Sequence, residues 1–155
     1  MNIASLLAKK GPKVVTVQPE QTIRQALTLL ADHNIGALVV VDRETRPVGI
    51  LSERDIVRSA ARDEAVFSKT VSALMTKDVI LGVPQDELES VGRTMTDRRI
   101  RHLPVVDQRR LVGIISIGDV VKAQRDLYRG EVETLQIELT EEHGRSATHG
   151  RSATR

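Results

Sequence analysis

Cysteine and tryptophan are absent from this 155-residue chain, and Phe67 and Tyr128 are its only aromatic residues. Without cysteine there is no disulfide framework, no thiolate nucleophile and no thiolate metal ligand, a composition that suits a reducing compartment. No apolar run approaches the roughly 20 residues that a membrane-spanning helix needs, and residues 1–10 lack the apolar centre of a secretion signal. The expectation is a cytoplasmic protein with no membrane attachment. The scarcity of aromatics also counts against binding nucleic acid, whose unpaired bases stack on such rings. The formal charge of +2 does not restore that role. Arg145, Arg151 and Arg155 lie in an acid-free stretch at 144–155, and the remainder carries 20 basic against 21 acidic residues. A nucleic-acid binder carries its excess on a folded face.

No catalytic set is assembled either. His33 falls at the end of a helical pattern, His143 and His149 lie near the C-terminus, and His102 has no recognisable triad or metal partner. The chain is expected not to be an enzyme and to require no metal.

What is present is repetition. An offset of 65 pairs Val14 with Val79, Pro19 with Pro84, Asp32 with Asp97, Ile35 with Ile100 and Leu38 with Leu103, then Val40-Val41-Asp42 with Val105-Val106-Asp107. Beyond the aspartates the offset falls to 64, as though a turn had lost a residue. Val48-Gly49-Ile50, Ser52, Asp55 and Val57 then match Val112-Gly113-Ile114, Ser116, Asp119 and Val121.

Each copy reads as β-α-β-β-α. In the first, a strand is expected at 13–17 and a helix at 22–33, whose Ile23, Ala26, Leu27 and Leu30 share one stripe. The β-branched run at 37–41 predicts a buried strand. A polar turn at 43–46 leads to a second strand at 47–51 and a helix to about residue 61. The fold class is therefore α+β: two repeats at 13–61 and 79–124, related by a pseudo-two-fold and packed as one module. Flanking segments comprise an N-terminal helix and lead-in at 1–12 (Ile3, Leu6, Leu7), a linker helix at 62–78 (Val71, Leu74, Met75), and a C-terminal helix at 125–143. In that last helix Tyr128, Val132, Leu135 and Leu139 line one face. Residues 144–155, with Gly-Arg-Ser-Ala-Thr written twice, read as a disordered tail.

Both copies close on the same constellation, Gly49-Ile50-Leu51-Ser52-Glu53-Arg54-Asp55 and Gly113-Ile114-Ile115-Ser116-Ile117-Gly118-Asp119. A strand that ends at a helix N-terminus presents free amides and the positive end of the helix dipole to an anion such as phosphate. The serine adds a donor, and the two oxygens of the aspartate suit a pair of ribose hydroxyls. Ser-x-x-Asp is also a capping box that satisfies the helix's own orphan amides. Recurrence in both copies favours a ligand, and the two roles are compatible. Gly49 and Gly113 allow either close ligand approach or a position with no room for a Cβ.

Two such repeats resemble the CBS-domain family, over roughly residues 14–124. The resemblance implies two clefts related by a pseudo-two-fold axis, taking AMP, ADP, ATP, S-adenosylmethionine or NAD(H) as a regulatory ligand. It implies Asp55 and Asp119 at ribose, Ser52 and Ser116 at phosphate, and adenine against Val14, Val15, Ile35 and Ala37 in one cleft and Val79, Ile80, Ile100 and His102 in the other. Arg54, Arg101 and His102 are further phosphate candidates, because cations of one repeat can reach a phosphate held by the other. Arg54 faces Gly118 in the alignment, so unequal sites are expected. Arg98, Arg99 and Arg101 also suit the negative end of the preceding helix. The implied role is a non-catalytic sensor acting as a homodimer or on an unidentified regulated protein. The alternative is a ligand-free dimerisation scaffold.

Overall fold

The computed structural model describes residues 1–11 and 13–149. Met1–Ile117 form one compact unit that contains both sheets, and a second unit begins at Gly118. The helix α1 (Ile3–Lys10) precedes the first repeat, which runs β1 (Thr16–Val17), α2 (Ile23–His33), β2 (Ala37–Val41), β3 (Pro47–Ser52) and α3 (Glu53–Ala60). A 3₁₀ turn (Glu64–Ser68) and the short α4 (Val71–Leu74) lead to the second repeat, α5 (Leu88–Asp97), β4 (His102–Asp107), β5 (Arg110–Ser116) and the long α6 (Ile117–His149).

In the first repeat β2 lies centrally, parallel to β1 and antiparallel to β3. All five of its residues are buried, which is why its sequence is apolar without alternation. Helix α2 starts at a capping box: Thr22 Oγ1 accepts from the Gln25 amide, and Gln25 Oε1 accepts from the Thr22 amide at 2.9 Å. It buries Ile23, Ala26 and Leu30 against Leu38, Val40, Leu51 and Ile56. Leu27 is partly buried on the same cluster.

The change of offset lies in the hairpins. Asp107 pairs with Arg110 across a two-residue loop whose Gln108 and Arg109 both have positive φ, the form that matches strand twist. The first hairpin is one residue longer: the Asp42 amide donates to Arg46 O, and Thr45 takes φ 64°. A β-branched residue is a poor occupant of that left-handed position. Thr45→Gly is expected to stabilise the protein by up to about 1 kcal/mol, visible as a higher melting temperature.

Asp42 organises this turn. Its Oδ1 accepts from the Glu44 and Arg46 amides, and its Oδ2 from Arg46 Nε, each at 2.9 Å. The Arg46 amide, then the Arg46 guanidinium and the Glu44 amide, hold the carboxyl below the ordinary aspartate value against the opposing effect of burial. Asp63 is lowered likewise, first by Lys69 and then by the Ala65 amide. A depressed carboxyl contributes stability above its unfolded pKa and loses it as pH falls through the folded one. Melting temperature is therefore expected to fall on acidification below about pH 4, and less steeply in Asp42→Asn/Asp63→Asn than in the wild type.

The structure corrects several sequence expectations. The strand at 13–17 contracts to Thr16–Val17, and its counterpart from Val79 forms only one parallel bridge, Gly82 to Val105. Pro104 explains the second loss. The Gly82 amide donates to Pro104 O and the Val106 amide to Gly82 O, but the next ladder bond toward Ile80 needs an N–H that Pro104 lacks. The expected break between helices near residue 125 does not occur. No proline or glycine interrupts residues 119–129, and α6 continues through Gly130 and Gly144 to His149, carrying 144–149 of the expected tail with it. Residues 150–155 lie outside the described residues.

The flanking helices also belong to the repeat. The Ile3 amide donates to Asp86 O, the Ala4 amide to Pro84 O and the Leu88 amide to Met1 O. In the first repeat the Val71 amide donates to Gln21 O, the Ser72 amide to Pro19 O and the Ile23 amide to Lys69 O. α1 thus covers the second repeat as α4 covers the first: each repeat is completed by the helix that precedes the other.

Candidate functional site

Strand β3 delivers Ser52 to the start of α3 in extended conformation, φ −104° and ψ 156°. Ser52 Oγ accepts from the Asp55 amide at 3.2 Å, and Asp55 Oδ2 accepts from the Ser52 amide at 3.0 Å. The capping box is therefore fully formed, and Asp55 uses one of its two oxygens in it. Both residues are half-buried, so the other carboxylate oxygen can serve a second partner. The Glu53 amide donates to Gly36 O at 2.9 Å, which ties the helix start to the turn before β2.

Around this junction the fold gathers the first-repeat candidates. Ser52 pairs with Ala37 across the β2–β3 ladder. Extending the β1–β2 register back two residues places Val14 beside Ala37. Val14, Val15 and Ile35 are half-buried, while Ala37 is buried. Val15 and Ile35 also pack on the core cluster, so their apolar character has a structural cause as well. Asn34 turns the chain out of α2 in the left-handed conformation, φ 50°, and sets the direction of Ile35. Arg54 is exposed on the first turn of α3.

The second repeat matches this local geometry. His102 pairs with Ser116, and the Ile117 amide donates to Arg101 O at 2.9 Å. Val79, Ile80, Ile100 and His102 are half-buried, and Arg101 is exposed. Arg99 takes the left-handed position of Asn34, with φ 54°. Asp119 stands in the first turn of α6, half-buried.

Two features escaped the sequence reading. Glu53, the first helical residue of α3, corresponds to Ile117, so a carboxylate stands at one helix N-terminus where the other has an aliphatic side chain. An acid there favours the helix dipole and disfavours a second anion. The second feature is a pair of cavities at the opposite ends of β2 and β4. One, of about 510 Å³, is lined by Pro19, Val41, Asp42, Val48 and Met75 among others. The other, of about 350 Å³, is lined by Arg46, Leu81, Val106 and Arg109 among others. Neither includes a predicted site residue, and no sequence motif marked them.

Packing decides the role of the strand glycines. A Cβ at Gly49 would stand 2.5 Å from Met75 Sδ and 3.1 Å from Thr76 O, and one at Gly113 would stand 2.7 Å from Leu7 Cδ2. The flanking helices fill the space that ligand approach would have used. Among the described residues no cluster of histidine, aspartate and glutamate could hold a metal, and no helix is long and apolar enough to cross a membrane.

Comparison with known proteins matches a family model, CBS domain, twice, at residues 9–62 and 71–126. The CBS domain-containing protein YhcV of Bacillus subtilis is 38% identical over 112 residues, covering 72% of this chain and 79% of that protein. The crystal structure of a CBS-domain protein from Agrobacterium tumefaciens superposes with a TM-score of 0.76 at 42% identity, over 80% of this chain and 99% of the other. The CBS domain pair of protein MJ0100, solved with 5′-methylthioadenosine and S-adenosyl-L-methionine, gives a TM-score of 0.72 at 29% identity, over 84% of this chain and 98% of the other.

Proposed function

The chain belongs to the CBS-domain family, and from that premise we propose that it is a non-catalytic regulatory module that binds an adenine nucleoside or nucleotide beside its two strand-to-helix junctions. The observation that carries this reading is the duplicated junction, in which Ser52 and Asp55 stand next to half-buried apolar residues at the open start of β2. An apolar wall suits a planar base, a carboxylate suits ribose hydroxyls, and helix amides suit phosphate. The adenosine ligands of the MJ0100 domain pair support the same ligand class. No metal is needed for any of these contacts.

The junctions are chemically unlike, and this sorts their ligands. Glu53 weakens the first helix N-terminus as an anion site, with Arg54 in partial compensation, whereas Ile117 leaves the second without that opposing charge. Polyphosphate is therefore expected at the Ser116 junction, and an uncharged or cationic adenosine compound is tolerated at the Ser52 junction. His102 pairs with Ser116 across β4 and β5, and the Ile117 amide donates to Arg101 O, so both residues adjoin that junction as phosphate candidates.

The module acts as a homodimer in this reading, and ligand occupancy shifts its population between dimer geometries or alters its grip on a regulated protein in the cytoplasm. A ligand does this only if it binds one geometry better than the other. Val57, 66% exposed on α3, offers an apolar contact for such a dimer. The fully formed capping box favours a second reading, a ligand-free scaffold, because Ser52 and Asp55 already have work within the fold.

A thermal-shift screen with AMP, ADP, ATP, NAD(H), S-adenosylmethionine and a guanosine control separates the two. Binding to the folded state at a hundredfold excess over Kd adds about 2.7 kcal/mol, so at least one adenine compound is expected to raise the melting temperature by several degrees while guanosine does not. No shift with any of them, with the dimer intact, supports the scaffold.

A further inference from the structure

Helix α6 runs far past the region shared with the family: the second domain match ends at residue 126, and the helix continues to His149. Along the extension Tyr128, Val132, Leu135 and Leu139 follow one another at spacings of four, three and four residues. That spacing puts them in one seam on a single helix face. All four are open to solvent, at 72%, 47%, 58% and 55%.

The charges at the two ends of this seam identify what covers it. Continuing the same spacing, the next position toward the N-terminus is Arg125 and the next toward the C-terminus is Glu142. A second copy running parallel stacks Arg125 on Arg125 and Glu142 on Glu142. A second copy running antiparallel brings each Arg125 to the partner's Glu142, twice by symmetry, and seats Tyr128 on the partner's Leu139 and Val132 on the partner's Leu135. The antiparallel arrangement does bring Glu131 near the partner's Glu138, but on the outer flank, where solvent screens like charges. The end pairs border the apolar seam, where charge complementarity sets orientation more strongly. Within one chain Arg125 makes a loose 3.9 Å contact with its neighbour Asp126, with both side chains more than half exposed.

Gly130 points the same way. A glycine inside a helix weakens it as an isolated element, and this one lies off the seam, where a partner helix leaves the packing undisturbed. Association supplies what the isolated helix lacks.

We propose that residues 125–142 of α6 form an antiparallel two-helix zipper with a second copy of this chain. The inference deepens the homodimer part of the reading above and does not depend on nucleotide binding. It assigns the extension a definite work: fixing the orientation of the two modules in the dimer.

The absence of cysteine makes a direct test possible. Two full-length variants, Tyr128→Cys and Leu139→Cys, are prepared separately, then mixed, allowed to exchange and gently oxidised. The expected result is a disulfide-linked heterodimer in the mixture, identified by its mass, with little self-linking of either variant alone. Ready self-linking of each variant alone would mean a parallel pair and overturn the antiparallel zipper. Failure to link in the mixture, while light scattering still reports a dimer, would overturn the zipper and leave the homodimer reading standing. A charge reversal gives an independent readout. Arg125→Glu is expected to weaken dimerisation by about tenfold, and Arg125→Glu/Glu142→Arg to restore it. Absence of rescue would contradict the pairing.

Discussion

Replacing Asp55 and Asp119 together by alanine is expected to lower affinity for the adenine ligand by at least about a hundredfold while the protein stays folded. Hydrogen bonds to a charged acceptor contribute about 1.5–3 kcal/mol each, and each 1.4 kcal/mol is about a factor of ten in Kd. Loss of a ribose pair at each junction is enough for the effect. The fold survives because neither side chain belongs to the buried core, which is entirely hydrophobic. What Asp55→Ala removes from the fold is one half of a capping box, at a cost of about 1 kcal/mol. Asp55→Asn/Asp119→Asn separates the two roles further. An asparagine oxygen still accepts from the Ser52 amide, so stability is kept, but it then turns an NH2 donor toward the ribose where the carboxylate keeps a second acceptor oxygen. Calorimetric titration of both double variants measures affinity, and thermal melting measures stability. If the alanine variant unfolds and the asparagine variant binds like wild type, the aspartates serve the helices and not a ligand.

The second large effect concerns the fold. Ile3→Ala is expected to destabilise the protein by about 2–4 kcal/mol, in the range for truncating a fully buried isoleucine. Ile3 is at 0% exposure near the beginning of the chain, where truncation is usually tolerated. It lies close to Gly82, where an added Cβ would approach Ile3 Cδ1 to 3.0 Å, and its amide donates to Asp86 O. The damage is therefore expected in the second repeat, with faster hydrogen exchange at Leu88, Val91 and Met95 before the amides of α2. Equal loss of protection in both repeats, or a cost below about 1 kcal/mol, would contradict the crossed arrangement of α1 and α4.

Much of this was legible in the sequence because the signals were duplicated. The β-branched run at Ala37–Val41 and the stripe of Ile23, Ala26 and Leu30 specify buried elements by themselves, and their echo at the same offset turned two weak readings into one strong one. The fall of the offset from 65 to 64 located a shortened hairpin, which the two-residue loop at Gln108 and Arg109 bears out. The family resemblance stood on the same duplication and is upheld by both domain matches.

The failures have physical causes. The strand expected from Val79 required a ladder donor that Pro104 cannot provide, and its effect falls on a segment more than 20 residues away in sequence. The helices at Ile3–Lys10 and Val71–Leu74 looked like flanking pieces because they echo at an offset of 68, hidden by a three-residue difference before β1 and its counterpart. The continuity of α6 was missed because the second repeat was ended at residue 124 by analogy with the first, whose α3 stops at Ala60, although residues 119–129 hold neither proline nor glycine.

The site was legible only as residue types. The capping box expected at Ser52 and Asp55 is formed, but that Glu53 loads one helix N-terminus with negative charge while Ile117 spares the other was not drawn from the alignment of the two junctions. The two cavities at the hairpin ends of β2 and β4 had no sequence mark at all, yet they offer a competing location for a small molecule.

Amide chemical-shift mapping of the isotopically labelled protein during titration with AMP and with S-adenosylmethionine decides between these locations. The account predicts saturable shifts centred on Gly36, Ala37, Ser52 to Asp55, Arg101, His102 and Ser116. Shifts confined to the hairpin-end residues Asp42, Arg46, Leu81 and Arg109, or none with either compound, would contradict it.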